Sequence, residues 1–434
     1  MRALAVLIAV ASLTSGAHAD DRRPLVAFKV KGDSKVTDRT LGYLAHVHLG
    51  DKVGPEDLEE LKTALISSEL FKNASVALEE APGGYVLVAT VEDKLSWIVG
   101  PTIYFLPSNR AFGVGYAEND FRGHDQKFLV YGQLGTKTSI FFATFLDPSF
   151  HGSPFQYRAD IYLERRQIDE YTNPPGMPRN FDIGRSTEQT FIDAGMLVGW
   201  QFYWWLVADT RLRAAYVIFH DAVDPRTNLP TTKPQQDGWD ATLQTRLTLD
   251  HRVHNFGLTS GPYMQFLAEP SVPGWDSYGY FNSQLRAYYS WVFLGEHEFE
   301  LRATGQAGYH LPVHEDNALG GGGDLRGYEL DQFRGDTLGV LRAEYSVPMF
   351  RWWLFKFRGL AFYDGGVATF EHPRMGDRNY LPDQLGRTFY RNDVGIGLRA
   401  YVKAVVLPLL GIDLGYGIEG HSPQIYFELG LTDF

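Results

Sequence analysis

Trp239-Asp240-Ala241-Thr242-Leu243-Gln244-Thr245-Arg246-Leu247-Thr248-Leu249-Asp250 decides the fold class of this chain. Trp239, Ala241, Leu243, Thr245, Leu247 and Leu249 share one parity; Asp240, Thr242, Gln244, Arg246, Thr248 and Asp250 share the other. Side chains on a strand alternate between faces, so this segment is a strand with an apolar face and a charged face. It is long for a soluble sandwich and suits a tilted strand that crosses a bilayer. A charged face carrying both signs, backed by an aromatic-rich face, fits a wet lumen inside a lipid-facing wall.

The pattern recurs on the C-terminal side. Phe281, Leu285, Ala287, Tyr289, Trp291 and Phe293 oppose Asn282, Gln284, Arg286 and Ser290; Phe299, Leu301, Ala303 and Ala307 oppose Glu300, Arg302, Thr304 and Gln306. Residues 95–434 are read as a sixteen-stranded antiparallel barrel, with strands beginning near 96, 110, 125, 138, 153, 188, 203, 237, 258, 276, 296, 335, 355, 391, 409 and 424. The segment 138–147 alternates poorly. The long connections 167–187, 221–236, 311–334 and 369–390 all follow odd-numbered strands, whereas Leu294-Gly295 and 348–354 are short. Short periplasmic turns and long outer loops are the rule for such barrels, and closure of an even-stranded sheet leaves no edge in lipid.

Upstream, the period changes. Leu25 to Lys31 is a strand closed by Gly32-Asp33. Thr37 is placed to cap a helix running to about His46, and Gly54-Pro55-Glu56 opens a second with Leu58, Leu61, Leu65 and Ile66 on one face. Strands Ala74–Glu79 and Tyr85–Val91 follow, giving β-α-α-β-β over residues 20–94. Residues 1–19 read as an export signal: Arg2, an apolar run from Ala3 to Leu13, and the small-x-small site Ala17-His18-Ala19. No later apolar run is long enough for a spanning helix. The net charge of −12 argues against a nucleic-acid partner, and the absence of cysteine excludes disulfides.

The connection 311–334 carries Gly320-Gly321-Gly322-Gly323-Asp324-Leu325-Arg326-Gly327-Tyr328. Four glycines in a row read as a pliable arm that delivers one arginine into the barrel. With that loop in place, the chain resembles the BamA/TpsB superfamily of outer-membrane assembly and translocation barrels, of the surface-antigen type. The N-terminal unit resembles a polypeptide-transport-associated (POTRA) domain, through Lys31-Gly32-Asp33, Leu70-Phe71-Lys72-Asn73-Ala74 and Val88–Val91. The family's sixth outer loop carries a (V/I)RG(F/Y) motif, matched by Leu325-Arg326-Gly327-Tyr328 with leucine at the first place. Phe362-Tyr363-Asp364-Gly365-Gly366 matches its F-x-D-x-G strand, and Asp250-His251-Arg252 its D-x-R element. The terminal aromatic Phe434 matches the C-terminal signal of barrels assembled by this machinery. A single POTRA domain is fewer than either named branch carries.

The resemblance implies an outer-membrane protein, with the POTRA domain in the periplasm, that inserts or exports polypeptides without a cofactor and is not an enzyme. Its implied partners are the bilayer, unfolded barrel or secreted clients, and other periplasmic assembly factors. It also implies that Arg326 pairs with Asp364 in the lumen. The seam between the first strand, near Trp97–Phe105, and the last, near Ile425–Leu431, is expected to yield, since Gly411, Gly415 and Gly417 weaken the strand beside it. Two other readings stay open: a passive porin, and an outer-membrane phospholipase. No HExxH, Cys/His cluster or Ser-His-acid set marks a metal or catalytic site; His251 and His254 lie on opposite faces of a strand.

Overall fold

The computed structural model describes residues 21–106, 109–172, 182–255, 258–353, 355–382, 384–402 and 405–429. The export-signal segment 1–19 and Phe434 lie outside the described residues. The N-terminal unit runs β1 (Arg23–Asp33), α1 (Asp38–Leu44), β2 (Lys52–Val53), α2 (Leu58–Ser67), β3 (Phe71–Ala81) and β4 (Gly84–Asp93). The Thr37 hydroxyl caps α1 by accepting from the Thr40 N–H at 3.3 Å, and Pro55 opens a short 3-10 turn leading into α2. The sheet order is β2-β1-β4-β3, with β1 parallel to β4 and β3 antiparallel to it. Leu41, Leu44, Leu61 and Leu65 of the helices pack on Leu25, Leu87, Ala89 and Val91 of the sheet. The sequence marks only three strands here. The fourth, β2, is two residues long and pairs with Arg23 and Pro24, too short to show a period.

Sixteen long strands then close a barrel: β5 (Trp97–Phe105), β6 (Arg110–Phe121), β7 (Gln126–Gly135), β8 (Thr138–Asp147), β9 (Phe155–Thr172), β10 (Asp182–Tyr203), β11 (Leu206–Asp224), β12 (Gly238–Asp250), β13 (Leu258–Pro270), β14 (Phe281–Phe293), β15 (His297–Tyr309), β16 (Thr337–Trp352), β17 (Phe355–Thr369), β18 (Thr388–Val402), β19 (Val405–Gly417) and β20 (Ser422–Leu429). Neighbours are antiparallel, and β20 returns to β5. Burial is inverted relative to a soluble protein. Met196, Trp200, Leu285 and Ile396 stand exposed on the outside, while Asp240, Arg358 and Asp364 are buried within. That is the polarity a transmembrane barrel requires.

The connection read as 167–187 is largely strand. Ladder pairs continue from Gln167↔Glu188 to Asp182↔Thr172, and the buried pair Arg185–Glu170 stiffens the extension. Thr138–Asp147 is paired on both sides despite its weak alternation. Phe141 faces outward and Phe142 meets the Tyr162 ring edge-on, so apolar residues occupy both faces.

The N-terminal unit is seated on the short turns. Gly123, between β6 and β7, accepts from the Thr37 N–H at 3.1 Å and the Thr40 hydroxyl at 2.9 Å. His46 stacks on Trp204 between β10 and β11, and the His254 N–H, after β12, donates to the Ser67 hydroxyl at 3.2 Å. The long loops lie at the other end.

Candidate functional site: a luminal arginine lock

The connection between β15 and β16 is a folded hairpin. Asn317–Leu319 pairs with Phe333–Gly335, and the tip between them carries the glycine run. Gly320 and Gly321 have φ of +117° and +107°, a region closed to most side chains. The tip closes on itself through Gly321 N–H to Leu325 C=O at 3.1 Å and Asp331 N–H to Gly320 C=O at 3.3 Å. Leu319, Leu325, Tyr328 and Phe333 pack with Leu338, Val340 and Ala368 of the wall. The run is therefore a shaped turn and not a pliable arm; the positive φ of Gly320 and Gly321, invisible in composition, makes the difference.

This packing delivers Arg326 into the wall with its side chain fully buried. Its Nε and Nη2 donate to the two carboxylate oxygens of Asp364 at 2.8 and 2.9 Å, and Nη1 donates to Glu344 at 2.9 Å. Asp413 lies 3.6 Å away, and the guanidinium sits 3.4 Å over the Phe362 ring. Burial opposes the charge on Arg326, but Asp364, Glu344 and Asp413 outweigh it and raise its pKa. Bidentate, charge-assisted bonds of this kind are among the stronger ones available to a side chain.

The flanking residues complete the clasp. The Gly327 N–H donates to Asp393 at 3.0 Å; the Tyr328 hydroxyl donates to Glu419, and Tyr426 donates to the Tyr328 carbonyl. Gly327 meets Gly417 backbone to backbone: a Cβ on Gly327 would lie 2.7 Å from Gly417 Cα, and one on Gly415 would overlap the Arg326 carbonyl. Gly415 and Gly417 thus form the seat of the loop, which corrects their reading as mere weak points of the strand. Leu325, Arg326, Gly327, Tyr328 and Asp364 come together here. Asp250 and Arg252 do not: Arg252 holds Asp250 at 2.7 and 2.9 Å in a local turn clamp.

A second anchor on the opposite side of the connection escapes sequence reading. His314 Nε2 lies 2.9 Å from Asp240, and Arg166 donates to the His314 carbonyl at 2.9 Å. Arg213 donates to Asp240 at 2.6 Å and to Glu315 at 2.8 Å, and lies 3.3 Å from Glu269. Asp240, His314 and Glu315 have metal-compatible spacing, but the Arg213 guanidinium occupies the space between the two carboxylates. Asp316 pairs with Arg378 of the connection between β17 and β18, interlocking two of the long loops. The parity of Asp240 and Arg213 marks both as luminal; nothing local links them to a histidine far along the chain.

A sequence profile of the Omp85 superfamily domain matches residues 120–432. The chain belongs to the Omp85 superfamily. Among solved structures, this Omp85 chain is similar to CdiB from Escherichia coli, with a TM-score of 0.61 at 12% identity over 93% of this chain and 76% of that one. CdiB from Acinetobacter baumannii gives 0.59 at 12% identity, covering 95% and 74%. BamA from Haemophilus ducreyi lacking POTRA domains 1–3 gives 0.56 at 12% identity, covering 93% and 84%. At such identity these likenesses establish the fold. Comparison with curated protein sequences finds no match.

Proposed function

We propose that this Omp85 protein carries polypeptides into or across the outer membrane, and that residues 20–94 are a periplasmic POTRA domain that receives them. The carrying observation is the seating of the N-terminal unit on the short turns with β3 at the free edge of its sheet. An unpaired edge can add an extended client strand through backbone hydrogen bonds. A passive porin has no use for such a domain at its mouth, or for a luminal hairpin tied at both ends. The reaction consists of binding and membrane perturbation, with no covalent step assigned to any residue.

Deleting residues 24–94 tests this reading. The barrel should still insert and show its folded, heat-modifiable form, while client delivery is lost. Full client delivery without the domain would refute the receiving role, and a steady open pore in the intact protein would favour the porin reading.

A further inference from the structure

Between the N-terminal unit and the barrel lies a cleft of about 620 Å³. Its walls come from β1, α1 and the segment after α1 on one side, and from the turn 151–154 and the end of β10 with Trp204 on the other. Phe202, 57% exposed, lies in the bulge that ends β10, just beyond the exposed outer residues Met196, Val198 and Trp200, so the cleft adjoins the rim where that face ends. Opposite it, Leu49 is 61% exposed and Val26 39%. Aromatic side chains at such a rim mark the bilayer interface.

The cleft also holds a cation. The Arg39 side chain lies across Gly152, whose φ is +71° and where a Cβ would come within 2.8 Å of Arg39 Cδ. A larger residue in that turn would displace it. Arg39 Nη1 is 3.4 Å from His151 Nδ1, and among the described residues no carboxylate pairs with it. Arg39 is exposed at the cleft mouth, and the carboxylate in the lining, Asp38, accepts from the Val30 N–H at 2.8 Å. His46 stacks on Trp204 at 4.9 Å and, depressed to about 4 by burial, adds no charge at neutral pH.

We infer that this cleft binds the head of an anionic phospholipid from the leaflet at the short-turn end. The phosphate rests on Arg39, and the glycerol and first acyl carbons lie against Phe202 and Leu49. Guanidinium is suited to phosphate, and the volume matches a lipid head rather than a whole lipid. Such a lipid would fix the angle between domain and membrane by continuing the protein's own apolar belt. The inference rests on the membrane reading of the barrel and on no choice of client.

The test uses the full chain in nanodiscs of phosphatidylcholine alone or with phosphatidylglycerol added. Amide hydrogen exchange is followed over residues 38–54 and 148–155. The wild type should exchange several-fold more slowly in both segments when phosphatidylglycerol is present. Arg39→Gln should exchange equally in both discs, and Arg39→Lys should retain part of the effect. Identical wild-type exchange in the two discs would overturn the site, as would an undiminished response in Arg39→Gln. Slowing by an added extended peptide in phosphatidylcholine discs, with none from phosphatidylglycerol, would assign the cleft to a polypeptide instead. Should Arg39→Gln disturb the domain, Leu49→Ser, altering an exposed side chain, provides the same comparison. Client delivery can fail while this lipid response persists, and the reverse, so the two readings are separable.

Discussion

Arg326 and Asp364 face each other across the lumen-side surface as a two-toothed ion pair, at 2.8 and 2.9 Å, with both side chains fully buried. The pair joins the connection between β15 and β16 to the middle of β17. It is the closest thing this barrel has to a latch.

Replacing Arg326 with alanine leaves Asp364 and Glu344 without their shared cation. Stranding buried charges in this way costs about 3–5 kcal/mol. Arg326→Ala is therefore expected to lower the heat-modification midpoint and to expose Gly320–Tyr328 to protease. Arg326→Lys should recover only part, because an ammonium cannot reproduce the fork. A double-mutant cycle with Asp364→Ala measures the coupling; additive losses would mean the pair does no latching.

The glycines of β19 give a sharper contrast. A Cβ on Gly415 would overlap the Arg326 carbonyl, whereas one on Gly411 would meet only Arg399 side-chain atoms at 3.4–3.6 Å. Gly415→Ala should undock the hairpin and raise single-channel conductance, while Gly411→Ala should leave both unchanged. Equal behaviour of the two variants would mean the close approach is not what holds the loop.

The second anchor should make the docked loop sensitive to pH. Arg213 faces Asp240, Glu269 and Glu315 at once, with His314 and the Tyr280 hydroxyl on Asp240. Burial, opposed by Arg213, pushes the Glu315 carboxyl up to about 8. A free glutamate titrates near ~4.3. The folded state therefore holds a proton that the unfolded chain has released, and stability falls as pH rises toward the folded value. His314 is lowered from the ordinary histidine value chiefly by burial, so its own slope lies at more acid pH. Between pH 7 and 8.5 the unfolding midpoint should drop in the wild type and stay flatter in Glu315→Gln. Parallel curves would exclude Glu315 as the titrating group.

The two anchors differ in how far sequence exposes them. Trp239–Asp250 reveals its strand because lipid and water face opposite sides of it, and the same contrast marks most of the sixteen strands. Phe141 and Phe142 blur it where the lumen wall is itself apolar. Arg326 and Asp364 are legible through short motifs at matching parity. Asp393 and Asp413 are ordinary luminal acids until the hairpin brings Arg326 and Gly327 among them. His314 and Asp240 are 74 positions apart, and only the closed barrel makes them neighbours. The seat of the N-terminal unit on Gly123 and Trp204 depends on turn positions that no period records.

Passage of polypeptides through the wall of this barrel would have to use its weakest seam. Among the described residues, β20 pairs with β5 only from Phe427↔Phe105 to Leu429↔Ile103, whereas β5 pairs with β6 along its full length. Opening this seam would expose backbone groups that a client strand could satisfy. Tyr104 and Glu428 are register partners, and the chain has no cysteine of its own. Tyr104→Cys with Glu428→Cys therefore permits one disulfide across the seam. The measurement is the outer-membrane and secreted proteome of cells carrying this variant, oxidised and then reduced, with barrel folding checked in both states. Locking should deplete one or more membrane-inserted clients, and reduction should restore them. Unchanged proteomes with the seam locked would contradict passage through the wall and would favour the lumen as the route.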